Sequence, residues 1–370
     1  MKITLIGPIY PYKGGIAYFN QKLNKELKRK HDVQLISWKR RYPSFLVKKQ
    51  IEKGGRTKIR SNPKLFLLDY LNPLTWFRAI KVIKKHNSKF VFLNWVSPAM
   101  VPVFLPVVLM MKLFSNAKPV MLCHVVEPHE NRFIDSMLTK LLFKQINHFV
   151  VHSKKDVKLI NRFNKKAHVL TSFLPLFPYK TKIQPNLKKK LKLKKRTILF
   201  FGYVRKYKGL KYLIEAMPDI NKELDVNLLI VGEFWEDKKE YINLIETLKL
   251  KESITIIDKY VPDDDVGKYF NICDILVVPY ISTAQSAVVQ IAYYFNKPSI
   301  VTNVGGLSEV VEDGKTGFVV PTKNPSAISK AVIEFYTSNR KNEFIKNVQI
   351  KKEEFGWSKY AKLIEDSFMH

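Results

Sequence analysis

Three cations stand between a strand end and a helix start in the middle of this chain. The apolar run Thr197 to Gly202 opens into Tyr203-Val204-Arg205-Lys206-Tyr207-Lys208-Gly209, and a helical pattern follows. A lysine before a glycine that permits close approach, with an arginine three residues back, suits the two phosphates of a nucleotide diphosphate. A second such place lies between Asp274 and Gly317. There a buried apolar run leads to Pro279 and a small polar cluster, a helix begins near Gln285, and a Gly305-Gly306 turn precedes Glu309. The backbone N–H groups of Ser286, Ala287 and Val288 at that helix start can face a phosphate. Gln285 and Ser286 offer neutral side chains to hydroxyl groups. Between Asp274 and Glu309 there is no carboxylate at all.

A third cluster, His124-Val-Val-Glu127-Pro128-His129-Glu130, follows the strand-like run Val120 to Cys123. His and Glu at a strand end can hold a metal; equally, His129 and Glu130 can simply begin a helix. A Gly14-Gly15 loop leads into a helix after the first strand, a place that carries phosphate or sugar groups.

The elements that must position these residues alternate between strand and helix. Strands are expected at Ile3–Ile6, Val33–Ser37, Phe90–Leu93, Val120–His124 and His148–His152, with a helix over Ile16–Lys30. Residues 171–196, with Pro175, Pro178, Pro185 and the run KKKLKLKKR, read as a linker. A second alternating domain then runs through strands at Thr197–Gly202, Asn227–Gly232 and Ser253–Ile257 and helices at Leu210–Met217, Lys238–Lys249 and Asp263–Asn271. The reading is therefore α/β, with two doubly wound domains, 1–172 and 197–354, joined by 173–196 and facing a cleft. The helix over 355–370 is expected to cross back to the first domain.

At 370 residues the chain can bury two cores of ordinary size. Cys123 and Cys273 are far apart in apolar surroundings, which argues against a disulfide or zinc site and fits a reducing cytoplasm. No stretch after Met1 suits secretion. The longest apolar segment, Ala99 to Met111, contains Pro102 and Pro106 and is too short to span a bilayer; it reads as a buried or interfacial helix. Residues 1–200 hold 42 Lys+Arg against 8 Asp+Glu, and residues 201–370 hold 22 against 24, so the whole excess of +32 lies in the first part. A lysine-biased composition would act on both halves alike. A basic face on the N-terminal domain follows, suited to anionic lipid or nucleic acid.

The run Lys208-Gly209-Leu-Lys-Tyr-Leu-Ile-Glu-Ala after a strand ending in glycine resembles the phosphate loop of retaining glycosyltransferases of the group 1 (family 4) type. So do Asp274-Ile-Leu-Val-Val-Pro279, Lys297-Pro298 leading to Val304-Gly305-Gly306-Leu-Ser-Glu309, and Asp313-Gly314-Lys-Thr-Gly317. The resemblance covers residues 197–320 and extends more thinly to Gly14-Gly15, His124 and Trp357. It implies the GT-B fold, two Rossmann-like domains with the donor nucleotide sugar on the C-terminal one and the acceptor on the N-terminal one. It also implies no metal or other cofactor. By the same resemblance His124 sits beside the donor sugar, Glu127 or His129 faces the acceptor, and Gly232-Glu233 with Tyr260-Val261 border the base. Glu309 orients its loop or touches the nucleotide. Members of the family usually carry two glutamates across the loop and helix of 282–291. Here that spacing gives Ser282 with Gln290, or Thr283 with Ile291, and no carboxylate. The run Ser282-Thr-Ala-Gln285-Ser286 is similar to a Thr-Gln-Ser-Gly variant of a bacterial subset of that family.

The expected reaction is transfer of a sugar with retention. The acceptor hydroxyl attacks the face from which the diphosphate leaves, while Lys208, Arg205 and the helix start near Ser286 stabilise the departing charge. A lipid-linked or saccharide acceptor gives the basic domain a role at the inner membrane face in polysaccharide synthesis. Its expected contact is the stretch Lys39 to Lys64, with Arg40, Arg41, Lys48, Lys49, Arg56 and Arg60 among aromatic and aliphatic residues. A sugar-nucleotide epimerase of the same fold is the alternative, disfavoured by the acid-free stretch 275–308. A nucleic-acid binder would leave Arg205, Lys208 and the Gly-Gly turn unexplained, and no nucleic-acid motif is present.

Overall fold

The computed structural model describes all residues except 11, 13, 14, 43–64, 127–132, 180–183, 284 and 370, and the side chain of Phe133. The chain divides into two compact units, Met1–Phe173 with Trp357–His370, and Leu174–Gly356.

The first unit is built on β1 (Lys2–Ile6), α1 (Gly15–Leu27), β2 (Asp32–Arg40), β3 (Phe66–Asp69), α2 (Pro73–His86), β4 (Phe90–Trp95), α3 (Val101–Phe114), β5 (Lys118–Cys123), α4 (Phe133–Phe143), β6 (His148–Val151), α5 (Lys154–Phe163) and β7 (His168–Thr171). Its strands form one parallel sheet in the order β3-β2-β1-β4-β5-β6-β7. Helix starts follow local chemistry. Asn72 accepts the N–H of Leu74 ahead of Pro73 at the first turn of α2, and Ser153 accepts that of Asp156 at the start of α5. β4 is buried along its whole length, as a central parallel strand covered on both faces must be.

The second unit runs through α6 (Leu187–Lys190), β8 (Arg196–Phe201), α7 (Leu210–Glu223), β9 (Val226–Val231), α8 (Lys238–Thr247), β10 (Ile254–Ile257), α9 (Asp263–Ile272), β11 (Ile275–Val278), α10 (Ala287–Tyr294), β12 (Ser299–Thr302), α11 (Leu307–Val310), β13 (Gly317–Val320), α12 (Pro325–Thr337) and α13 (Lys341–Lys351). Its sheet is also parallel, in the order β10-β9-β8-β11-β12-β13. Asp274 follows α9 and serves the sheet: its carboxylate accepts the Thr197 N–H at 2.8 Å and the Tyr336 hydroxyl at 3.2 Å, and pairs with Lys341. Burial pushes its pKa up, but these partners outweigh burial and hold it below the ordinary carboxylate range.

The last helix, α14 (Trp357–Phe368), belongs to the first unit. Trp357 and Tyr360 pack on Phe19 of α1, and Glu365 bonds Lys30 at 2.9 Å and His31 at 3.2 Å. Within each sheet the connection direction reverses once, between β1 and β4 and between β8 and β11. Crevices at such reversals, beyond the carboxyl ends of the strands, are where open α/β sheets bind ligands.

Candidate functional site

In the second unit the expected cationic loop forms a short 3₁₀ turn over Lys206–Lys208, closed by Gly209 at φ 65°. The glycine is required twice over. Its φ lies in the left-handed region, and a Cβ there would come within 2.0 Å of the Pro279 carbonyl oxygen. This close approach brings the loop after β8 against the end of β11, and the Ile281 N–H donates to the Tyr207 carbonyl at 2.7 Å.

Lys208 is drawn inward by that contact and is only 8% exposed. Its Nζ lies 5.5 Å from the centre of the Tyr280 ring and beside Gly202, where a Cβ would meet it at 2.9 Å. The same imaginary Cβ lies 3.8 Å from Val288 Cγ2, so Gly202, Lys208 and the start of α10 share one corner at the sheet reversal. No carboxylate pairs with Lys208 among the described residues. Burial lowers its pKa, with Arg205 adding to the effect. A buried ammonium is costly without an anionic partner, and an anion beside it would favour the charged form.

The acid-free loop gives its polar groups specific duties. Ser286 caps α10 with an extended backbone, accepting the Val288 N–H at 3.3 Å, and its hydroxyl bonds that of Tyr280. Burial pushes the Tyr280 phenol up to about 12. Gln285 donates Nε2 to the Gly306 carbonyl at 3.2 Å, tying the loop to the Gly-Gly turn. The helix therefore begins at Ala287, two residues beyond the expected Gln285, because the hydroxyl of Ser286 is the cap. Of the three N–H groups expected to face a phosphate, that of Val288 is occupied by the cap. Ala287 is exposed at the first turn, and its N–H meets no acceptor among the described residues. Gln290 lies one turn further on, 1% exposed, and both its amide atoms lack partners among the described residues. Glu309 is exposed on α11, its N–H bonded to the Gly306 carbonyl at 3.2 Å.

Sequence reasoning did not anticipate an aromatic edge beside this corner. Tyr203 packs on Trp235 with ring centres 4.6 Å apart and stacks with Tyr260 at 6.2 Å, while the Arg205 guanidinium lies 4.3 Å over Trp235. Tyr260 is 47% exposed and Val261 is buried below it. Gly232 lies so close to Gly202 that a Cβ on it would meet the Gly202 carbonyl oxygen at 2.1 Å. Glu233 accepts the Val204 N–H through its carbonyl, which joins the loops after β8 and β9. The signal in the sequence was two aromatics, Tyr203 and Trp235, each just past a strand-ending glycine.

In the first unit the reversal between β1 and β4 carries a neutral polar cluster. His124, just past β5, donates Nε2–H to Asn94 Oδ1 at 2.9 Å; the Asn94 amide donates in turn to the Ile6 carbonyl at 3.2 Å. Asn20 of α1 donates to the Pro8 carbonyl at 2.8 Å. Both amides press on Gly7, where a Cβ would meet Asn20 Nδ2 at 2.4 Å and Asn94 Nδ2 at 2.7 Å. Phe19 stands edge-on to His124 at 4.8 Å, and His152 lies 5.8 Å away. Burial, then His152 and Arg41, push the His124 pKa down to about 3; burial alone drives His152 down to about 4. His124 is thus a neutral imidazole with Nδ1 as an acceptor, a hydrogen-bonding group rather than a general acid at neutral pH. Asn94 could have been found as the single polar side chain in the apolar run FVFLNW.

Gly15 opens α1, while Gly14, Glu127 and His129 lie outside the described residues. So do Lys48, Lys49, Arg56 and Arg60 of the basic stretch. Of the named arginines of that stretch, Arg40 and Arg41 are described. Arg40 is paired at 3.3 Å with the buried Asp69 at the end of β3, and Arg41 lies near enough to His124 to depress its pKa. Asp69 at the end of β3 thus holds Arg40, while the Arg41 guanidinium lies 5.1 Å from the centre of the Tyr42 ring. No group of His, Cys, Asp and Glu among the described residues is arranged to hold a metal ion. No helix among them is long and apolar enough to cross a membrane.

Residues 183–351 match the family described as glycosyl transferases group 1. The spore coat protein SA of Bacillus subtilis (strain 168) is 28% identical over 179 residues, 45% of this chain and 47% of that protein. The D-inositol 3-phosphate glycosyltransferase of Paenarthrobacter aurescens (strain TC1) is 27% identical over 176 residues, 46% of this chain and 43% of that protein. The matched region spans about half the length of these curated relatives. Among solved structures, Anabaena HepE in complex with UDP superposes with a TM-score of 0.71 at 15% identity, covering 99% of each chain. The fold is GT-B, with two parallel-sheet Rossmann-like units, and residues 183–351 are similar to the group 1 glycosyltransferase family.

Proposed function

We propose that this protein transfers a hexosyl group, with retention, from a nucleotide-diphosphate sugar to a lipid-linked or saccharide acceptor in polysaccharide synthesis at the cytoplasmic face of the membrane. The observation that carries this reading is Lys208, a buried cation with no carboxylate partner among the described residues, held at the β8/β11 reversal of a domain similar to the group 1 family. HepE, bound to UDP in its solved structure, supports a nucleotide donor by analogy of fold.

In this reading the diphosphate lies against Lys208 and Arg205, with the Ala287 N–H at the start of α10 completing the anion site. The base rests along the edge made by Tyr203, Trp235 and Tyr260, with Gly232, Glu233 and Val261 behind it. The buried amide of Gln290 takes a donor hydroxyl in place of the absent glutamate, and Gln285, Ser286 and Glu309 hold the loop that presents it. His124 offers a neutral nitrogen to the sugar. Glu127 and His129 serve the acceptor, and Gly14 and Gly15 the donor. As the bond to the diphosphate breaks, charge grows on the leaving oxygens, and the fixed cations stabilise it without reorganising. These cations take the role a metal would otherwise fill, so no metal is required.

Thermal shift with a panel of nucleoside diphosphates and their sugars tests the donor site. At least one should raise the melting temperature, since only a ligand that prefers the native state does so. No shift with any of them would remove the donor site. Epimerisation of the hit without acceptor would instead make the protein an isomerase.

A further inference from the structure

The apolar segment that reads as either buried or interfacial is buried along one side and exposed along the other. α3 packs between α2 and α4 in the layer covering one face of the N-terminal sheet. Its inner side, from Val101 through Phe104 and Val107 to Met111, is fully buried in the core. Its outer side is equally apolar: Pro102, Leu105, Leu109 and Leu113 follow at helical spacing, and Leu113 is 76% exposed. A helix apolar all round belongs in a core or against lipid, and this one has water on one side.

Its neighbours repeat the pattern. On α4, Ile134, Met137 and Leu141 form one exposed stripe at spacings of three and four. On α2, Leu74 and Phe77 are exposed on the face that carries Lys81 and Lys84 one to two turns later. By contrast, the large exposed hydrophobics of the second unit are Tyr260 and Ile350 among the described residues. Contiguous apolar surface of this kind marks an interaction site.

Charge selects the partner. The three helices carry Arg78, Lys81, Lys84, Lys85, Lys112 and Lys140, all exposed, and Asp135 is their one acid. Aliphatic side chains ringed by lysines fit the boundary of an anionic bilayer, where acyl chains take the leucines and headgroups take the ammonium groups. A protein interface would draw more on Tyr, Trp and Arg and would set polar groups among the apolar ones. We propose that the outward face of α2, α3 and α4 inserts into the headgroup region of an anionic membrane and anchors the N-terminal unit there. It shares with the proposed function only the lipid surface, and assigns a contact to these helices in addition to the expected stretch 39–64.

Sedimentation with vesicles of phosphatidylglycerol and phosphatidylethanolamine in equal parts, against vesicles of phosphatidylcholine, tests this on the full chain without donor or acceptor. The chain should bind the anionic vesicles and stay partly bound in high salt, because apolar insertion is not screened. Leu113→Glu with Leu141→Glu should weaken binding more than tenfold, since burying one leucine side chain corresponds to roughly tenfold in partition. Both positions are exposed, so circular dichroism should show the fold intact. As a second readout, both native cysteines are buried, so Leu113→Cys can carry an environment-sensitive label. Its emission should shift to the blue on anionic vesicles, while a label at Lys238→Cys in the second unit should not respond. No binding by the native chain, native-like binding by the double variant, or an unresponsive label would each overturn the proposal. So would a concentration-dependent dimer abolished by Leu113→Glu, which would assign the face to a second copy. Vesicle binding without a donor-induced thermal shift would leave the anchor standing and remove the transferase.

Discussion

The two sheet reversals are built alike and furnished differently. At β8/β11 a backbone contact through Gly209 accompanies a lysine in the interior, with no carboxylate partner among the described residues. At β1/β4 the corresponding crevice holds Asn20, Asn94 and a neutral His124, partners for hydroxyl groups and carbonyls. One architecture thus offers fixed positive charge at one reversal and uncharged hydrogen bonding at the other. That is the division expected between binding a diphosphate and binding a sugar. The overall charge runs the other way, with the net positive part in residues 1–200. Charge in bulk therefore marks a surface, and charge in the interior marks a site.

The glycines at the two reversals test this comparison most severely. Gly209→Ala should destabilise the protein by about 3 kcal/mol or more, because it sets a left-handed alanine against a rigid carbonyl. Gly7→Ala presses on two side-chain amides that can give way, so its loss in chemical denaturation should be clearly smaller. Equal losses would mean that the two crevices are equally rigid.

The neutral reversal should announce itself in acid. His124 and His152 have folded pKa values of about 3 and about 4 against an ordinary 6.5. Between those limits the unfolded chain binds more protons, so stability is full above about pH 6.5 and falls as the pH drops. By pH 5 the two together should remove about 2–4 kcal/mol from the unfolding free energy. His124→Phe should flatten that dependence; an unchanged profile would show that the imidazole is charged or free in the folded state.

The smallest effect concerns the cation. Lys208→Met keeps much of the packing and removes the charge. It should lower kcat by about 1.5–3 kcal/mol of transition-state stabilisation, roughly tenfold to a hundredfold, and abolish the donor-induced thermal shift. The unliganded variant should melt no lower than the native chain, because an unpartnered buried charge is removed. A lower melting temperature with unchanged turnover would make Lys208 a structural residue.

Much of the second unit was legible along the chain. Gly202, Lys208-Gly209 and the Gly-Gly turn sit at ends of strands that are short apolar runs with clear breaks, and β8, β9, β10 and β11 fall within a residue or two of expectation. The first unit was less legible. β3 is only four residues long, and α2 begins on a proline just after an exposed Leu71-Asn72 turn, so neither stood out from its surroundings. At the site, Tyr280 and Asn94 were missed because each is a single polar group in an apolar run, a pattern that core packing also produces.

By itself the sequence determined the α/β class, the two units, the strand-end loops and their cations, because periodicity and glycine placement are local properties. Only the tertiary structure decided that Lys208 is buried rather than solvated, that His124 is neutral, and that Arg40 pairs with the buried Asp69. It alone decided that α3 has water on its apolar outer side. Burial and charge pairing depend on residues far apart in the chain, and no spacing along it records which side of a helix the rest of the protein leaves uncovered.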